Sequence, residues 1–89
     1  MSGYDASWLT PLLRLPEVVE AMSAHSGRQL LVGGSHDPSW NLEVARTISA
    51  DVAEIEGADH AMFSADAVHS AEMHVDVTRV IDRWLRSIA

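Results

Sequence analysis

The segment QLLVGGSHDPSWN, residues 29–41, decides how this chain reads. Residues 30–32 form a short, wholly apolar run that stops at Gly33-Gly34, and an aspartate, Asp37, then sits directly before a proline. Runs of this kind suit strands buried on both faces, as in parallel sheets, where apolar residues follow one another instead of alternating. A second run, residues 52–55, ends in the same way. It passes through Gly57 into a loop that carries His60, and the whole stretch EIEGADHAM covers residues 54–62. Two strand-like runs therefore each deliver one ionisable side chain just beyond their C-terminal ends. In open parallel sheets that edge is where ligand sites form.

Working outward from these two runs, Asn41 is placed to cap a helix over about residues 42–49, with Val44 and Ile48 four apart. Upstream, Pro16 opens a helix to about residue 25, supported by Val18, Val19 and Met22 and closed by Gly27. Thr10-Pro11 offers an N-cap followed by proline at a first helical position and predicts a short helix start there. Downstream, Val77, Val80, Ile81, Trp84, Leu85 and Ile88 form a single apolar stripe at helical spacing, so the C-terminal helix is the clearest element. Residues 57–66 read as loop. The predicted order is helix, strand, helix, strand, helix. Two strands joined by a helix form a right-handed parallel unit, an α/β architecture. Two strands alone make a marginal sheet. A free edge is therefore expected along residues 30–32, where a further strand belongs.

The bulk numbers bound the function. The chain has 89 residues, enough for one domain and no internal boundary. Thirteen acidic residues against six basic ones give a net charge of −7, which argues against nucleic acid and against an anionic membrane surface as partners. No cysteine is present, so disulfides, a thiolate nucleophile and a cysteine-based zinc site are excluded. No apolar run approaches the roughly 20 residues that a membrane span requires. The N-terminus carries neither a basic leader region nor a long apolar one, and the expected setting is cytoplasmic. His36, Asp37, Asp59, His60, His69, Glu72 and His74 match no metal-ligand spacing such as H-E-x-x-H. Neither a metal nor a cofactor is expected.

Asp37 before Pro38 can initiate a turn or cap a helix, and His60 alone can be an ordinary loop histidine. As a pair they suggest chemistry. A carboxylate can hold an imidazole in one tautomer and stabilise the imidazolium, so that the ring serves as general base and then general acid. Acid before base in chain order fits the hydrolase series in which serine comes first. On LLVGGSHDPSWN (residues 30–41) and VAEIEGADHAMF (residues 52–63), the chain resembles the C-terminal portion of an α/β-hydrolase. The segment WLTPLLRLPEVVEAM (residues 8–22) and the final helix fit the flanks. The resemblance implies a partial three-layer αβα fold with two parallel strands, with Asp37 as triad acid and His60 as triad base. It also implies a small ester-like substrate.

The departure from that family is large. No G-x-S-x-G nucleophile elbow occurs, and the nearest stretch, GGSHD (residues 33–37), lacks the last glycine. The elbow, the central strands and the oxyanion loop of the family lie upstream of its acid. The resemblance therefore implies either a separate N-terminal hydrolase half as partner or a truncated, non-catalytic module that self-associates through its sheet edge. Trp40 is expected beside the acid loop, Trp8 on a pocket wall and Trp84 in the core. Met62 and Phe63 either line a pocket or anchor the loop. Asp59 reads as a solvated or loop-bonding residue.

Overall fold

A computed structural model describes residues 5–88. The reading of the N-terminus as free of a leader falls partly on residues 1–4, outside the described residues. Six elements follow one another: β1 (Ala6–Leu9), α1 (Pro16–Ser23), β2 (Gln29–Gly34), α2 (Leu42–Ile48), β3 (Asp51–Ile55) and α3 (Ala67–Ile88). The three strands form one parallel sheet in the order β1-β2-β3.

β2 lies at the centre, and all six of its residues are buried. Its side chains alternate between two cores, as strand geometry requires. Leu30 and Val32 join Ile55, Ala58, Met62, Met73, Val77 and Trp84 in a cluster closed by α3. Leu31 joins Leu13, Met22, Trp40 and Ala45 in a second cluster, with Val18, Val19, Leu42, Val44 and Ile48 of α1 and α2 packed around it. This double burial explains why β2 reads as a continuous apolar run. Leu31 and Val32 are completely buried. Truncating Leu31 to Ala would cost about 2–5 kcal/mol, a large share of the roughly 5–15 kcal/mol by which such domains are stable.

Local chemistry fixes the helix starts. Pro16 stands in the first turn of α1. Asn41 caps α2, its side-chain oxygen accepting the Val44 N–H at 3.1 Å. Asp66 does the same for α3 by accepting the His69 N–H at 2.8 Å. The buried stripe of α3 runs through Ser70, Met73, Val77 and Trp84, and Val80, Ile81 and Ile88 pack at its margin.

Four expectations are corrected. The described residues hold three strands and not two, because Ala6–Leu9 pairs in parallel with β2. That strand is short and mostly exposed on its side chains, so ASWL carries no buried run to reveal it. No helix starts at Thr10-Pro11. The chain turns there instead, with Thr10 at φ 51°. The free edge does not lie along residues 30–32, since β2 has a neighbour on each side; among the described residues the edge strands are β1 and β3, and β1 is the edge on the N-terminal side. Leu85 is 52% exposed and does not belong to the buried stripe. It stands one residue after Trp84, about 100° round the helix, which turns it away from the sheet.

Candidate active site

The two glycines that end β2 explain how the acid and base loops come together. A Cβ on Gly33 would lie 1.9 Å from the Trp40 indole, and one on Gly34 would lie 2.2 Å from the Ala58 carbonyl oxygen. Glycine at both positions lets Trp40 close over one face and the β3 loop cross the other at backbone contact. The loops are then stitched by backbone donors: Ser35 N–H to Ile55 O at 3.1 Å, and His36 N–H to Ala58 O at 3.0 Å. The Gly57 N–H donates to Ser35 Oγ at 2.7 Å, closing the seam.

Asp37 sits in a tight turn. Its N–H donates to Gly34 O, its carbonyl accepts from Trp40 N–H, and its Oδ1 accepts the Ser39 N–H at 2.8 Å. The carboxylate is fully buried, and its Oδ2 faces His60 Nδ1 at 2.8 Å. Both carboxylate oxygens thus meet nitrogen donors, which places a proton on Nδ1; in the neutral ring the Nε2 lone pair is then open. The His60 side chain is 52% exposed.

The loop that carries His60 is shaped by its neighbour. Asp59 Oδ1 accepts from both Ala61 N–H and Phe63 N–H at 2.9 Å, and its own N–H donates to Phe63 O at 3.0 Å. Asp59 is therefore the loop-bonding residue. Trp40 is buried beside the acid turn and donates its indole N–H to Glu54 Oε2 at 2.9 Å.

His60 opens on a cleft of about 420 Å³, lined by Leu9, Thr10, Ala61, Met62, His74, Val77 and Thr78 besides His60 itself. Met62 is buried in the α3-side core as well as lining the cleft, so it both anchors the loop and walls the pocket. Phe63 is largely exposed, its ring centroid 5.0 Å from that of His74. Trp8 lines a different, apolar cleft, together with Thr10, Pro11, Val18 and Met22. Its indole donates to Gln29 Oε1 at 2.9 Å. His36 and His69 do not line the His60 cleft.

Compared with protein-family models, curated proteins and solved structures, the chain matches none. The site must be read from its own geometry. That geometry joins Asp37 to His60 and leaves Ser35 Oγ holding Gly57. It also brings in Leu9 and Thr10 at the end of β1, which the sequence reading did not place in the site. The only signal for them was the resemblance of residues 8–22 to a hydrolase flank. The arrangement can hold an imidazole as a proton acceptor toward a hydroxyl brought to Nε2.

Proposed function

We propose that this chain is the acid-and-base portion of an α/β-hydrolase of esterase type, a partial three-layer αβα unit, with Asp37 as triad acid and His60 as base. The observation that carries the reading is the 2.8 Å contact between His60 Nδ1 and the buried Asp37 carboxylate, formed beyond the C-terminal ends of two adjacent parallel strands. A buried carboxylate behind a half-exposed imidazole is the pairing that acyl transfer to water uses to take a proton from a nucleophile and return it to a leaving group. The nucleophile comes from an upstream half whose central strand pairs along β1. Ser35, already holding the Gly57 amide, is not assigned that role. The substrate is a small ester-like molecule, and no metal or cofactor takes part.

Complementation tests the reading. An elbow-bearing N-terminal half added to this chain should create serine-directed labelling by a fluorophosphonate probe and ester turnover, and His60→Ala should remove both. Turnover unaffected by His60→Ala would exclude the triad role.

A second reading rests on the free edge of β1, where Trp8 is 39% and Leu9 50% exposed. In it the chain is a non-catalytic α/β module that self-associates along that edge. We also propose a cytoplasmic setting, which fractionation of expressing cells tests. Among the described residues no helix is long and apolar enough to cross a membrane.

A further inference from the structure

Among the described residues, two that are not glycine have positive φ, Thr10 at 51° and Met62 at 61°, and both line the His60 cleft. A β-branched residue in the left-handed region is a genuine outlier, because its Cβ crowds the backbone. Such strain gathers at sites where a side chain must be held in a particular place. Thr10 stands between this cleft and the apolar Trp8 cleft and borders both. Its N–H continues the ladder to Val32 O at 2.8 Å, but its hydroxyl has no hydrogen-bond partner among the described residues and caps no helix. The hydroxyl of Thr78, also on the cleft, is by contrast engaged, donating to His74 O at 2.9 Å. His74 contributes a ring tilted against Phe63.

We propose that Thr10 is a ligand-positioning residue and that the cleft between the end of β1 and the His60 loop binds a small, neutral, mainly aliphatic primary amide or alcohol. The polar head donates to His60 Nε2 and accepts from the Thr10 hydroxyl, while the aliphatic part lies along Leu9, Met62 and Val77. Toward the neutral ring the head donates, since the Nδ1 proton is engaged with Asp37 and Nε2 offers a lone pair. An anion is disfavoured, since the buried Asp37 carboxylate stands directly behind the ring and the chain carries a net charge of −7; a cation is disfavoured, since the cleft lining holds no carboxylate to pair with it. A cleft of about 420 Å³ with apolar walls and few polar groups is of a size that small molecules occupy. This inference takes the role of the His60 ring from the hydrolase reading, but binding requires neither a nucleophile nor a second half.

The test is a titration of hexanamide into the full chain, followed by amide proton–nitrogen correlation spectra. Shifts are expected at Leu9, Thr10, Ala61 and Met62, with a dissociation constant on the order of millimolar, as a head group and a short chain allow. Thr10→Val keeps shape and removes the hydroxyl, and should weaken binding about three- to tenfold, the worth of one hydrogen bond. Thr10→Ser keeps the hydroxyl and should restore most of the affinity. Hexanoate should bind much more weakly than hexanamide. The proposal is overturned by shifts confined to the Trp8–Val18 cleft, by no shifts at all, by hexanoate binding equally well, or by Thr10→Val and Thr10→Ser behaving alike. Binding as expected without rescue by an elbow-bearing half would instead remove the hydrolase reading and leave the cleft. Rescue without hexanamide binding would remove the cleft proposal alone.

Discussion

Gly33 and Gly34 differ in what crowds them, and the difference sets their tolerance. At Gly33 the obstacle is the Trp40 side chain; at Gly34 it is the Ala58 backbone. Overpacking a tight site costs about 1–3 kcal/mol and more where backbone must move. Gly34→Ala is therefore expected to destabilise the chain by about 3 kcal/mol or more, and to separate the Asp37 and His60 loops. Gly33→Ala is expected to be recovered in part by a second substitution, Trp40→Leu, whereas Gly34→Ala is not. Denaturant unfolding of the singles and the doubles measures this, and equal rescue of both would refute it. At this scale the sequence was legible. Two glycines before an aspartate marked the end of a buried strand, although the particular surfaces that exclude a Cβ depend on residues 7 and 24 positions further along the chain. No local pattern encodes that.

On the scale of elements, the β3–α3 loop is organised by Asp59 and not by His60. One carboxylate oxygen gathers two amide donors, from Ala61 and Phe63, and this turns the chain so that His60 faces Asp37. Capping-type carboxylate bonds of this sort are worth about 1 kcal/mol. Asp59→Ala should lower stability by about that amount while loosening the His60–Asp37 contact. In a complemented enzyme its turnover should fall by about tenfold, with Asp59→Asn intermediate. Thermal unfolding alongside turnover checks it, and an Asp59→Ala variant with full turnover would show that the loop is held elsewhere. The place of Asp59 next to His60 suggested a residue that is either solvated or loop-bonding, and the structure selects the second. The first strand was not legible in the sequence. ASWL offers neither a continuous apolar run nor a clean alternation, because one edge and much of its surface face solvent, so tertiary pairing with β2 creates a strand that local preference does not announce. The Thr10-Pro11 pair misled for a related reason. The same two residues that suit a helix start also suit a sharp exit from a strand.

For the whole molecule, the direction of the β1 amides decides what the free edge can do. Ala6 N–H donates to Arg28 O and Thr10 N–H to Val32 O, so even-numbered residues of this stretch face β2. In a parallel ladder the alternate residues point the other way. Ser7 and Leu9 therefore present their N–H and C=O groups to the open side, where an additional strand would pair. Unprotected edges of this kind associate. The chain is expected to self-associate at low micromolar concentration, or to take up a complementing half in preference to itself. Ser7→Pro removes one outward donor and none that β2 uses, and proline is tolerated at such edge positions. It should leave the thermal midpoint of the monomer within a few degrees and shift the association equilibrium toward monomer by about tenfold, roughly the loss of one edge hydrogen bond together with the steric block of the ring. Sedimentation equilibrium across a concentration series reads the shift directly. If the parent chain stays a compact monomer throughout, the edge is not an interface. If Ser7→Pro self-associates as well as the parent, association uses another surface, and the placement of a missing central strand along β1 fails with it.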